Sequence, residues 1–222
     1  MEIIPNVHQI SGLASNCYLI VQADGLTLID TGLKGDVNKI VASIEKQGRT
    51  LKDLRRILIT HSDGDHVGGL AELKARSGAR VYANAIEAKA MAEGHPSREL
   101  KLSGWRALLF GLIFALFKTP PATADEFLSD GQVLPVLSGL RVVATEGHTP
   151  GHISLFAPAT GILFVGDSIV STGGQLRGSV GMNTWDQDKA DAAVRKQAAL
   201  GAHIVCSGHG PVIMNAVGKF PM

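Results

Sequence analysis

The sequence predicts an α/β fold in which two β-layers carry helices on their outer sides, and three observations predict it. Apolar β-type runs alternate with helical periods along the chain, and they do so in a similar order in both halves. At 222 residues the chain also suits one hydrophobic core, since domains of up to roughly 250 residues still wrap a single one. One domain over residues 1–222 is therefore expected, with an apolar helical insert at about 95–125.

The opening is rich in hairpins. Ile3 to Ile10 and Cys17 to Ala23 are β-type runs, and Asp24-Gly25 turns the chain into Leu26 to Ile29. Between Asp36 and Lys46 the period changes, with Val37, Ile40, Val41 and Ile44 at helical spacing and Gly48 as a stop. Arg56 to Ile59 is a short buried strand. The polar cluster His61 to His66 follows it, then a helix over Leu70 to Arg76 closed by Ser77-Gly78. The cluster thus falls on a strand-to-helix loop. Later strands are expected at Val133 to Pro135, Arg141 to Thr145, His152 to Phe156 and Ile162 to Val165, with turns at Ser138-Gly139 and Pro158 to Gly161. A helix over Lys189 to Leu200 and a strand over His203 to Cys206 complete the chain. No residue-level repeat accompanies the similar order, and Pro120-Pro121 marks a loop after the insert rather than a domain boundary.

The insert departs from the pattern. Leu102 to Phe117 is almost wholly apolar, but about sixteen helical residues reach only about 24 Å against a hydrocarbon core of about 30 Å. Arg106 also lies inside it, so no transmembrane span is expected. Trp105, Phe110, Phe114 and Phe117 stand among leucines on every face of the predicted helix, leaving no solvated side. Such a helix is covered by its own domain, a second subunit, an apolar ligand or a membrane surface. A core helix is the plain reading; a homodimer contact or a lid comes ahead of membrane-surface contact among the others. A net charge of +1 with scattered Lys and Arg argues against a nucleic-acid partner. Cys17 and Cys206, far apart and in no dense pattern, read as buried or free thiols of a reducing compartment, with one disulfide as the alternative. Met1 to Ile10 lacks the basic-then-apolar order of a secretory signal, so a cytoplasmic location is expected.

Chemistry concentrates in His61-Ser62-Asp63-Gly64-Asp65-His66, four potential metal ligands in six residues directly after a strand. Imidazole nitrogen and carboxylate oxygen are the usual ligands of catalytic zinc and also suit iron and manganese. A solvated acidic loop is the alternative for the hexapeptide alone. Three later signals favour metal: Gly147-His148-Thr149-Pro150-Gly151-His152, Gly166-Asp167-Ser168 and Ser207-Gly208-His209-Gly210. Each puts a ligand-type residue at a strand end beside glycine, where backbone and metal can approach closely.

In the order of these motifs, from Leu28-Ile29-Asp30-Thr31-Gly32 through the hexapeptide to Gly208-His209-Gly210, the chain strongly resembles the metallo-β-lactamase superfamily. The resemblance implies a four-layer αββα sandwich of two mixed sheets flanked by helices, with a two-metal site at one edge. It implies that His61, Asp63 and His148 hold one ion, that Asp65, His66 and His209 hold the other, and that Asp167 bridges them. Asp65 would also be catalytic, orienting the metal-activated water or shuttling its proton. Asp30 would orient a ligand from behind, or else cap the turn before Gly32; His152 would support the site, or be an ordinary strand histidine. The departure from the family pattern HxHxDH is Asp63 in place of histidine. Two divalent ions are expected, zinc by resemblance, with Mn²⁺ or Fe²⁺ admitted by that extra carboxylate.

The implied function is a metal-dependent hydrolase acting on an ester, thioester, lactone or amide bond of a small-molecule substrate. Within the superfamily the compact length and the Gly147 to His152 segment look nearer to glyoxalase II-like and lactonase-like members. The alternatives are a redox or oxygen-handling dimetal iron protein and a catalytically silent ligand-binding member. Tyr18, Tyr82 and Asn183 are the polar candidates for oxyanion assistance, and His8, His95 and His203 read as structural or surface residues.

Overall fold

The structure, a computed structural model, describes residues 1–98 and 119–221. Its first sheet has seven strands hydrogen-bonded in chain order: β1 (Glu2–Ile4), β2 (Val7–Ser11), β3 (Asn16–Gln22), β4 (Gly25–Ile29), β5 (Leu54–Leu58), β6 (Arg80–Ala83) and β7 (Glu126–Phe127). β1 to β4 form an antiparallel meander, and β4 to β7 are parallel. Parallel neighbours need crossovers. These contain α1 (Val37–Glu45) after β4, α2 (Gly64–Val67) and α3 (Leu70–Ser77) after β5, and α4 (Ala85–Glu93) after β6.

The second sheet contains β8 (Val133–Leu134), β9 (Leu140–Ala144), β10 (Ile153–Ala157), β11 (Ile162–Gly166), β14 (Ile204–Ser207) and β15 (Ile213–Met214), in the order β15-β14-β11-β10-β9-β8. Only its β11–β14 pair is parallel. The crossover between them carries the hairpin β12 (Ile169–Thr172) and β13 (Gln175–Gly178) and the helix α5 (Gln187–Ala198).

Three apolar layers separate four layers of structure. Cys17, Leu19, Leu28, Ile57 and Val81 face α1, α3 and α4, where they meet Ile40, Ile44, Leu70, Leu73 and Met91. The alternate residues Tyr18, Ile20, Ile29, Leu58 and Tyr82 face Val142, Leu155, Phe164 and Cys206 of the second sheet. Val143, Leu163, Val165 and Val205 complete the pattern against Val194 of α5. Because successive strand side chains point to opposite faces, a strand buried on both sides is apolar throughout. That is why β11 reads as a continuous apolar run and β4 and β10 are interrupted only by the buried Thr27 and Ser154, and why the two-layer expectation follows from them.

Several elements differ from the sequence reading. The run Ile3 to Ile10 is two strands, because Asn6 adopts φ 69° and turns the chain between them. β6, β7, α4, β12, β13 and β15 have no counterpart among the predicted elements. α4 was hidden because its buried face is Glu87, Ala88, Ala90 and Met91, too weakly apolar to show a period; its start is marked by Asn84, whose side chain accepts from Ile86 N at 2.9 Å. α5 begins at Gln187 rather than Lys189, with Asp186 accepting from Lys189 N at 3.1 Å. Cys17 and Cys206 are buried free thiols on different sheets, which overturns the disulfide alternative. The apolar segment Leu102 to Phe117 lies outside the described residues; the neighbouring stretches 95–98 and 119–125 are irregular. Among the described residues no helix is long and apolar enough to cross a membrane.

Phe164, 1 % exposed, packs its ring 5.2 Å from that of Tyr18 across the two sheets. Phe164→Ala is expected to cost about 3–5 kcal/mol of stability, as a buried aromatic ring is lost without collapse of the facing layer. Urea unfolding checks this as a lower midpoint at unchanged slope.

Candidate metal centre

Since β4 is parallel to β5, and β11 to β14, the segments leaving their carboxyl ends open at one edge of the sandwich. Asp30 follows β4, the hexapeptide follows β5, Asp167 follows β11 and His209 follows β14, while His148 comes from the β9–β10 connection. Backbone bonds join the two sheets at this edge: Ile153 N donates to Thr60 O at 3.1 Å, and Asn16 N to Gly208 O at 2.7 Å. The chain is extended through Asp63 and turns helical from Gly64, which separates His61 and Asp63 from Asp65 and His66.

All seven ligand-type residues meet there. Ligand atoms of His61, Asp63 and His148 lie within 4.8 Å of one another, as do those of Asp65, His66 and His209. Asp167 faces both sets, with Oδ1 3.2 Å from His66 Nε2 and Oδ2 3.7 Å from His148 Nε2 and 3.0 Å from His209 Nε2. Glycine makes room, because a Cβ at Gly208 would collide with Asp167 Oδ1 and His66 Cε1.

Each of the four imidazoles is anchored through Nδ1, which turns Nε2 inward. His61 Nδ1 lies 2.9 Å from Thr60 Oγ1, whose own proton goes to Asp30 Oδ2 at 2.8 Å. The hydroxyl must then accept from His61, which leaves His61 Nε2 unprotonated. His66 Nδ1 is 2.9 Å from Asp30 Oδ2, His148 Nδ1 3.0 Å from Ser179 Oγ, and His209 Nδ1 donates to Ala14 O at 3.1 Å. His152 is different: its Nε2 accepts from Asp167 N at 3.1 Å and its Nδ1 lies 2.9 Å from Thr145 Oγ1, so it holds the Asp167 backbone and has no nitrogen left for an ion. Thus Asp30 and His152 both stand behind the cluster.

The cluster has the electrostatics of ligands awaiting cations. His61 Nε2 and Asp63 Oδ1 are buried without a hydrogen-bond partner, which is costly unless something satisfies them. Burial opposes charge on His66, but Asp167 and Asp30 outweigh it and raise its pKa well above the usual value. Hydrogen bonds to Asp167 and then Asp65 push His209 up to about 10. Burial and the neighbouring His66 hold His61 well below the usual range, and burial and His148 bring His152 to about 3. Burial also opposes charge on Asp167, yet His66 and His209 keep its carboxyl well below the normal range. Imidazole and carboxylate donors in two adjoining sets fit a pair of divalent ions.

Asp63 has a partner that sequence reasoning missed. Arg98 forms an ion pair with its Oδ2, on which His148 Nε2 also converges at 3.1 Å. The burial of Asp63 opposes its charge, but the hydrogen bond from His148 and the charges of His61, His148 and Arg98 hold its carboxyl far below normal. The guanidinium offsets the negative charge of the carboxylate that stands where the resemblance implies a histidine. Thr60, Ser179 and Glu87 were missed as well; Thr60 adjoins His61, but no local motif marks the other two or Arg98. Of the oxyanion candidates, Tyr18 is buried and gives its proton to Ser207 O at 2.6 Å, and Tyr82 is packed between the sheets. Asn183 alone lines the cavity of about 290 Å³, with Asp63, Asp65, Arg98, His148 and His209 around it. His95 is exposed and pairs with Glu93 at 2.8 Å, and His203 is exposed on the surface.

A family model described as the metallo-beta-lactamase superfamily matches residues 10–209. A probable metallo-hydrolase of Bacillus subtilis, YflN, is 26% identical, covering 94% of this chain and 85% of the relative. A hydroxyacylglutathione hydrolase of Cereibacter sphaeroides is 30% identical over 184 residues, which cover 82% of this chain but only 57% of that protein. Among solved structures, a metallo-beta-lactamase family protein of Thermus thermophilus superposes with a TM-score of 0.79 at 22% identity, covering 98% of this chain and 78% of that one. A metallo-beta-lactamase of Cronobacter sakazakii gives 0.72 at 28%, covering 94% and 79%.

The raised pKa values of His66 and His209 define a pH dependence. A folded value of about 10 for His209 against the ordinary 6.5 means that its pairing stabilises the metal-free protein fully below pH 6.5 and is lost as pH rises toward 10. Metal-free protein is therefore expected to lose stability between pH 7 and 10, and metal uptake at pH 7 to expel protons from these rings. Thermal melts across that range, and calorimetry in two buffers of different ionisation enthalpy, measure both effects.

Proposed function

The chain belongs to the metallo-beta-lactamase superfamily and is a metal-dependent hydrolase of that fold; within this class we propose that it hydrolyses an ester, thioester, lactone or amide bond of a small acyl compound at a site for two metal ions. The observation that supports this best is the set of four imidazoles anchored through Nδ1 with Nε2 turned toward Asp63, Asp65 and Asp167. Relatives named hydroxyacylglutathione hydrolases favour an acyl bond within the class. In this reading His61, Asp63 and His148 hold one ion, Asp65, His66 and His209 hold the other, and Asp167 serves both. Divalent ions there supply Lewis acidity and lower the pKa of water toward neutrality, so no serine or cysteine nucleophile is needed. Zinc suits the donor set, while the carboxylate of Asp63 moves the preference toward harder ions such as Mn²⁺ or Fe²⁺.

The remaining steps belong to the chain itself. Asp65 is the most accessible of the three cluster carboxylates, with 26% of its side chain exposed against 13% for Asp63 and 10% for Asp167. It is the carboxylate most open to proton exchange with a group in the cavity, and in the metal-free chain its Oδ2 lies 3.3 Å from His209 Nε2. Asn183 offers an amide donor from the opposite loop, which also exposes Val180 and Met182 as apolar surface for an acyl group.

Asp65→Asn is expected to lower kcat by at least about 100-fold on any acyl substrate that the wild type turns over. Its circular dichroism should be unchanged. Chelation of the wild type should abolish turnover, and Zn²⁺ or Mn²⁺ should restore it. Undiminished hydrolysis by metal-free protein would overturn the reading.

A further inference from the structure

Glu87 lies on α4, has no part in the ligand cluster and is fully buried. Its Oε2 accepts from Ser62 N at 2.9 Å and Ser62 Oγ at 2.6 Å. Its Oε1 accepts from Thr149 Oγ1 at 2.7 Å, Gly151 N at 2.8 Å and Ser97 Oγ at 2.8 Å. One carboxylate therefore joins three segments remote in sequence. Ser62 stands between His61 and Asp63, Thr149 follows His148, and Ser97 precedes Arg98, the ion-pair partner of Asp63. Ser97 N also donates to Ser62 Oγ at 2.9 Å, which closes the network. Gly151 is required for the approach, because a Cβ there would meet Asn84 Oδ1 at 2.6 Å and Glu87 Oε1 at 3.0 Å.

The second ligand set is anchored elsewhere. His66 O accepts from Thr31 N and Thr31 Oγ1 at 2.7 and 2.8 Å, and His66 Nδ1 meets Asp30. The turn bearing His209 is held by Asn16, whose Nδ2 donates to Ser207 O at 3.1 Å and Gly210 O at 2.8 Å. We propose that Glu87 is a positioning residue for one metal position only, that of His61, Asp63 and His148. The proposal rests on the two-position reading above.

The network makes the carboxylate irreplaceable even by its isostere. Oε1 faces the N–H of Gly151 and Oε2 that of Ser62, and neither backbone donor can rotate away. A glutamine has one acceptor oxygen and one NH₂ group, so in either orientation its amide would confront a backbone donor and release one arm of the clamp.

The test is titration of metal-stripped protein with Zn²⁺ by calorimetry, with elemental analysis of the loaded protein. Wild type is expected to take two ions per chain. Glu87→Gln should weaken one step by about 10- to 100-fold, the usual effect of losing a partner behind a ligand, and leave the other step unchanged. Adding His209→Ala to Glu87→Gln should then remove the step that stayed tight. Thr149→Val, which deletes one of the five donors, should weaken the same step by a smaller factor and answers the question should Glu87→Gln not fold. Two unchanged steps in a folded Glu87→Gln, or equal weakening of both, would overturn the role of Glu87 while the two-ion reading stands. A wild type that takes fewer than two ions would overturn that reading, and the proposal with it.

Discussion

At the end of β4 the carboxylate of Asp30 takes hydrogen bonds from Thr60 N at 2.9 Å and Thr60 Oγ1 at 2.8 Å and meets His66 Nδ1 at 2.9 Å. This arrangement sets the tautomer of His61 through Thr60 and the orientation of His66 directly, so one buried group turns two imidazoles toward the same cavity. Asp30 can do this because it leaves the strand with φ 57°, a left-handed conformation that aspartate tolerates better than most residues and that turns its side chain back on the sheet edge. Both sheets depend on the same junction, since Thr60 O accepts from Ile153 N. The metal-facing edge and the packing of the sandwich are thus one construction.

Like charges crowd this edge. Asp63, Asp65 and Asp167 lie within reach of one another's partners, and carboxylates brought together out of water are stable only when hydrogen-bonded or paired with cations. Each solves the problem differently. Asp63 has Arg98 and His148, Asp65 and Asp167 share His209, and Asp167 also has His66. Glu87, a few residues into α4, is buried as deeply but spends its charge on five donors instead, which suits a brace rather than a ligand.

The strands were legible where burial on both faces made them mainly apolar, as in β4, β10 and β11, and the amphipathic α1 was legible from Val37, Ile40 and Ile44. Elements without such a signature were not. β6 is four residues long with an exposed arginine at its start, β12 and β13 hold polar residues at exposed positions, and α4 buries alanines and a glutamate. Their structure comes from what they pack on and pair with, which local periodicity does not encode.

The amino-acid sequence by itself determined the chemistry: four imidazole and carboxylate motifs, each beside glycine at a strand end, and an apolar pattern that requires two stacked sheets. Hydrogen bonding between segments far apart in the chain decided the rest. Asp63 sits 35 residues from Arg98 and 85 from His148, and Glu87 is 62 residues from Thr149, so neither the charge balance at position 63 nor the clamp behind it leaves a local trace. Tyr18 shows the same division in reverse. Its hydroxyl was a reasonable candidate for chemistry as a residue type, yet folding buries it against Ser207 O, 189 residues away, and makes it a structural bond. Residue type determines what a side chain can do, and only the folded chain determines which partner it meets.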